Sequence, residues 1–118
     1  MLLDTLNVSS TFSNFIGSIQ TCILNQGFLV TIPNSIRKEV NLKPSQEVLL
    51  YIKSGNIVIQ EKRLESTENM TLVSSKGSIY IPKEIRTTLN IQKRDTFQIF
   101  YNKETKTIIL KPDNSITK

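Results

Sequence analysis

Histidine is absent from the chain, so neither an imidazole-activated nucleophile nor a histidine metal cluster can be built from it. Glycine is scarce, and no Gly-rich phosphate loop is present; Gly27 and Gly77 stand singly ahead of apolar runs. The carboxylates are scattered and form no recurrent pair. These absences argue against an enzyme, and neither a cofactor nor a metal is expected. The single cysteine, Cys22, excludes an internal disulfide and suits a reducing compartment. With no neighbouring cation to lower its pKa, it reads as a small apolar strand residue. No apolar run approaches the roughly 20 residues of a membrane span, and no basic region precedes the first apolar residues at the N-terminus. The expectation is a cytoplasmic protein with no membrane partner.

Positive charge is missing from the first 36 residues, where Asp4 is the only charged side chain. The net charge of +5 and the pI of about 9.5 therefore belong to the rest of the chain. Residues 68–112 are the more basic stretch, with Lys76, Lys83, Arg86, Lys93, Arg94, Lys103, Lys106 and Lys111 against Glu68, Glu84, Asp95 and Glu104. Clustered cations at this pI are the footprint of a polyanion partner, although lysines kept for solubility leave a similar one. Hydrophobic and charged fractions of 38% and 21% are those of a folded globular chain.

What is present is a repeat. Ile32-Pro33-Asn34-Ser35-Ile36-Arg37-Lys38-Glu39-Val40-Asn41-Leu42 recurs 49 positions later as Ile81-Pro82-Lys83-Glu84-Ile85-Arg86-Thr87-Thr88-Leu89-Asn90-Ile91. A glycine-led apolar run precedes each copy and two strand-like runs follow it, so one supersecondary unit occurs twice. Units of about 45 residues rarely bury enough surface alone, which predicts that the copies share a core. Ile19 to Leu24 and Phe28 to Ile32 read as a hairpin or a strand reversal, as do Met70 to Val73 and Ser78 to Ile81. Gly27 stands six positions before Pro33 but Gly77 five before Pro82, which predicts an extra residue, a bulge or a shifted turn in the first copy. Each proline ends a strand and opens a short helix. Ile36 and Val40, like Ile85 and Leu89, then share a buried face, and Asn41 and Asn90 close the helices in the left-handed region. The predicted organisation is an arm at 1–17, a first repeat at 18–62, a linker at 63–67, a second repeat at 68–112 and a tail at 113–118.

These residues resemble the AbrB, SpoVT and MazE family, the swapped-hairpin DNA-binding domains of bacterial transition-state regulators and antitoxins. The resemblance rests on the glycine, the apolar alternation, Ile-Pro, the apolar-Arg pair, the helix-ending small residue with its following aliphatic, and two apolar strands, twice over. It implies a mainly β fold with short helices: a swapped-hairpin β-barrel formed as an intrachain pseudo-dimer of two β-β-α-β-β repeats. The rival arrangement is exchange between two chains to give a homodimer.

The resemblance also implies double-stranded DNA as partner, contacted by basic residues of the loop and short helix. By position the helix arginines are Arg37 and Arg86, with Lys38 beside the first and Thr87 beside the second. The basic residue that the family often places after the glycine is replaced by Ser78, and by Phe28 or Leu29; Lys76, Lys83, Lys93 and Arg94 stand in as candidates. The family's glycine before the third strand is replaced by Ser45 and by Arg94. The competing role for Arg37 and Arg86 is an ion pair with Glu47 and Asp95, locking helix to turn. Lys53, Lys103 and Lys106, near hairpin tips, read as solubilising. The leading function is transcriptional regulation, with a preference for non-palindromic sites because the copies differ in charge. The alternatives are an antitoxin, whose toxin or other protein partner would meet the N-terminal arm because the tail is short, and an interaction module that does not bind DNA.

Overall fold

The computed structural model describes residues 15–61 and 70–113. The expected linker lies outside the described residues, as do the expected arm before residue 15 and the tail after Asp113. The chain is mainly β, in the order β1 (Ile16–Ile23), β2 (Leu29–Thr31), α1 (Asn34–Glu39), β3 (Glu47–Lys53), β4 (Asn56–Glu61), β5 (Met70–Leu72), β6 (Ser78–Tyr80), α2 (Lys83–Leu89), β7 (Thr96–Asn102) and β8 (Thr107–Pro112). Six strands form one antiparallel sheet in the order β1-β7-β8-β4-β3-β5, and β2 and β6 form a separate two-stranded ribbon.

The local chemistry explains the elements. Pro33 and Pro82, with φ of −56° and −59°, end the ribbon strands and open α1 and α2. Each helix is too short to stand alone, and it buries Ile36 and Val40, or Ile85 and part of Leu89, against the sheet. Asn41 and Asn90 adopt φ of 57° and 55°, and the next amides, Leu42 N–H and Ile91 N–H, reach back to the carbonyls of Arg37 and Arg86 at 2.9 and 2.8 Å. Both asparagines thus close their helices in the left-handed conformation. Ser54 and Gly55, both at positive φ, make the two-residue β3–β4 turn. At the longer β7–β8 turn the Asn102 side chain accepts the N–H of Glu104 and of Thr105.

One pair of alternatives is decided and one expectation is corrected. The strands flanking each glycine reverse direction, but they do not form a mutual ladder. β1 pairs with β7, and β5 pairs with β3, while β2 pairs with β6. At the reversals, side chains take the amides instead: Asn25 Oδ1 accepts the N–H of Gly27 and Leu29, and Ser74 Oγ that of Lys76 and Ser78. The ladder therefore stops at Ile23 and Leu72, the prolines cut the ribbon to three residues per strand, and no closed barrel results.

The first copy also carries no extra residue. Asn25 N–H bonds the Leu29 carbonyl as Ser74 N–H bonds that of Ser78, and Phe28 N–H bonds Asn25 as Gly77 N–H bonds Ser74. The two turns are equally long. The position that takes positive φ is Phe28 (64°) in one and Gly77 (80°) in the other; Gly27 merely stands beside it.

The halves are interlocked by bonds that recur at the 49-residue spacing. Ile32 N–H bonds the Gly77 carbonyl and Ile81 N–H that of Phe28; Leu24 N–H bonds Asp95 and Val73 N–H bonds Gln46. Val30 and Ile79 face each other in the ribbon, as Val58 and Ile109 do between β4 and β8. The core beneath is apolar and drawn from both halves, with Leu24, Ile32, Leu50, Ile59, Ile81, Phe97, Ile99 and Leu110 buried. Cys22 lies in it, and burial pushes its thiol from an ordinary 9.0 up to about 12, so it stays protonated.

Candidate nucleic-acid interface

The ribbon alternates with period 2. Val30 and Ile79 point into the core, and Leu29, Thr31, Ser78 and Tyr80 lie on the other face. Thr31 Oγ1 and Ser78 Oγ are hydrogen-bonded at 2.7 Å across it. An arginine flanks each end. Arg37 Nε donates to the Ile32 carbonyl at 2.8 Å and Arg86 Nε to the Ile81 carbonyl at 2.9 Å. The acceptor in each case is the residue before the proline. Its N–H is already in a cross-half bond, but the proline that follows has no N–H and the strand has ended, so the carbonyl is left for the guanidinium. Among the described residues no ion pair joins Arg37 to Glu47 or Arg86 to Asp95. Asp95 Oδ2 instead accepts the N–H of Gln92, closing its own turn.

Each arginine packs on the turn of the opposite half. The Arg37 side chain lies over the Gly77 backbone, where a Cβ would fall 2.5 Å from its Cζ and 2.6 Å from its Cδ. The Arg86 guanidinium stacks on the Phe28 ring, 3.6 Å from its centroid, and its NH2 group donates to the Tyr80 hydroxyl at 3.1 Å. Lys93 Nζ is 5.0 Å from the same Phe28 centroid. Such contacts are worth roughly 0.5–1 kcal/mol each where water has access. They offset part of the cost, about 1–2 kcal/mol, of holding a bulky residue at positive φ.

Of the seven residues expected to meet DNA, Arg86 and Lys93 are brought together on Phe28, and Arg37 lies over Gly77, the neighbour in sequence of the exposed Lys76. Lys38, Lys83 and Arg94 are exposed, and their side chains make no bond or ring contact among the described residues. Arg94 has φ of 75° and Ser45 has 68°, so both turns form without the glycine, and Arg94 N–H and Ser45 N–H bond Leu24 and Val73 at 2.7 Å. Lys103 lies 3.6 Å from Glu39 in an exposed pair, which adds little. Phe28 and Tyr80 were missed as site residues. The constant spacing carried the signal for Phe28, since 49 positions before Gly77 stands Phe28, not Gly27.

Comparison with known proteins adds one finding. Residues 70–118 match the family model described as antidote-toxin recognition MazE, bacterial antitoxin. This second half is similar to that family. It contains β5 to β8, α2, Arg86 and four of the candidate lysines and arginines, Lys76, Lys83, Lys93 and Arg94. The mainly β fold with short helices is consistent with an AbrB- or MazE-like domain. Neither the curated proteins nor the solved structures gave a significant match. Among the described residues no helix is long and apolar enough to cross a membrane, and no group of three or more His, Cys, Asp or Glu side chains is placed to hold a metal ion.

Proposed function

We propose that the chain is a non-enzymatic, DNA-binding regulator of the AbrB and MazE kind, in which the two repeats of one chain take the places of two subunits. The observation that carries the proposal is the arginine at each end of the β2–β6 ribbon, fixed through Nε, with both terminal amines of Arg37, and NH1 and one N–H of NH2 in Arg86, having no acceptor among the described residues. A guanidinium held this way suits two-pronged contact with a phosphate or with guanine O6 and N7. The three-residue ribbon is about 10 Å long, close to the roughly 12 Å width of a major groove, which admits a two-stranded ribbon. Lys76 and Lys93 would add phosphate contacts beside the arginines. The single-chain arrangement draws its support from the cross-half hydrogen bonds that recur at one spacing.

Fluorescence anisotropy with duplex DNA from upstream of the gene, at two salt concentrations, tests this reading. The expected result is binding that weakens steeply with salt; absence of binding at low salt rejects it. Light scattering after size exclusion tests the single-chain arrangement. A mass near 13.4 kDa is expected, and a mass twice that assigns the exchange to two chains.

The match of residues 70–118 to the MazE model favours a second reading, an antitoxin that also binds DNA and whose further partner is a toxin. A small toxin-like reading frame beside the gene, and co-purification of its product, would select that reading.

A further inference from the structure

The two arginine sites are built alike but restrained differently. Among the described residues the Arg37 side chain makes its Nε bond and packs over Gly77, and the positions equivalent to Tyr80 and Lys93 are Thr31 and Pro44, which offer it neither a phenol nor a second cation. Arg86 carries the same Nε bond, a second bond from NH2 to Tyr80, and a stacked face on Phe28. Among the described residues the NH1 amine and one N–H of NH2 of Arg86 have no acceptor. Phe28 holds this position at φ 64°, in a backbone conformation where its counterpart is glycine. Strain kept in one copy and relieved in the other points to a task for the side chain.

We propose that Phe28 is a specificity-determining positioning residue, which locks Arg86 as a rigid reader of guanine while Arg37 makes an adaptable phosphate contact. The proposal rests on the DNA-binding reading and deepens it. A guanidinium stacked on a ring and tied at two nitrogens cannot swing to a substitute acceptor when guanine is replaced. The wrong base then loses the contact outright. A guanidinium tied at one nitrogen follows the nearest phosphate oxygen, and phosphate contacts carry no sequence information directly. One half of the bound site is therefore discriminating and the other tolerant.

The test measures affinity at fixed salt for a selected duplex and for every single-base substitution of it, with wild type, Phe28→Gly, Phe28→Leu and Phe28→Trp. In wild type, loss of one guanine in one half should cost about tenfold or more, with no substitution in the other half costing more than about threefold. Phe28→Gly and Phe28→Leu should flatten the profile to about threefold everywhere, as affinity for the selected duplex falls toward that for unrelated duplex. Phe28→Trp, which keeps an aromatic face, should preserve it. Equal penalties in the two halves of the wild-type site, or an unchanged profile in both Phe28→Gly and Phe28→Leu, overturn the proposal and leave DNA binding standing. No wild-type binding to any duplex overturns both. Nitrogen-15 spectra of the free protein give a readout independent of DNA. Slow rotation about the Arg86 guanidinium bonds, absent from Arg37 and lost in Phe28→Leu, is expected; equal mobility of the two arginines contradicts the locking.

Discussion

Replacing Gly77 by alanine puts a methyl group where Arg37 now lies. Gly77 has φ of 80°, and a Cβ in that region costs on the order of 1–2 kcal/mol. The new Cβ would stand 2.5 Å from Arg37 Cζ, far inside a van der Waals contact. The guanidinium is the end of a flexible side chain and moves away, giving up the 2.8 Å bond from Nε to the Ile32 carbonyl, worth about 1 kcal/mol at a half-exposed site. Together these terms make about 2–3 kcal/mol, and at roughly 4 °C per kcal/mol for a chain of this size the melting temperature should fall by about 8–12 °C. Calorimetry measures that fall. Anisotropy measures the second effect, a salt dependence of DNA binding shallower by about 0.9 in log–log slope as one phosphate contact is lost. Phe28→Gly, at the equivalent position, removes the positive-φ cost together with the stack on Arg86 and the packing of the ring against the core; these oppose one another, so its melting temperature should fall less than that of Gly77→Ala. A Gly77→Ala protein that melts within about 2 °C of wild type with an undiminished salt slope refutes the placement of Arg37 against the opposite turn.

Arg86→Ala should cost only about 1–2 kcal/mol, because it removes two hydrogen bonds, one of them exposed, and one stack, and strands no buried carboxylate. The fold should persist while DNA affinity drops; a loss of about 3–5 kcal/mol in denaturant melts, as from a broken buried pair, would assign Arg86 a structural role instead. Ser45→Gly should stabilise by about 1 kcal/mol, since Ser45 sits at φ 68° with its own N–H bonded to Val73; a lower melting temperature contradicts this. Cys22 binds its proton in the folded state up to about pH 12, whereas the unfolded thiol releases it above about pH 9. The folded state therefore binds more protons in that window, and stability should fall as pH rises from about 9 to 12. Cys22→Ala, compared with wild type in denaturant melts across those pH values, should lack this part of the fall.

Local rules were legible wherever a single residue type decides the backbone. The prolines ended the ribbon strands, the i and i+4 aliphatics set the buried helix faces, and Asn41 and Asn90 took the left-handed closing positions. Partner choice was not legible in the same way. Nothing local distinguishes β1 pairing across its own turn from β1 pairing with β7, more than 70 residues away in the chain; that depends on which amides the Asn25 and Ser74 side chains leave open. Glycine misled in the first copy because the residue type most tolerant of positive φ stands next to the position that adopts it. The arginine anchors were invisible because their acceptors are main-chain carbonyls, freed by a proline that follows, and a search for acidic partners passes over them. The spacing of 49, followed without adjustment, was the one long-range signal that would have found Phe28.

The account stands on the two arginine ends of the ribbon acting together on DNA, and the salt dependence of binding tests that most directly. Anisotropy between about 50 and 200 mM salt should show log affinity falling linearly with log salt, and the Arg37→Ala/Arg86→Ala double variant should bind more weakly throughout, with a slope shallower by about 0.9 for the one phosphate that Arg37 contacts. A wild-type slope near zero, or a double variant as salt-sensitive as wild type, would contradict it.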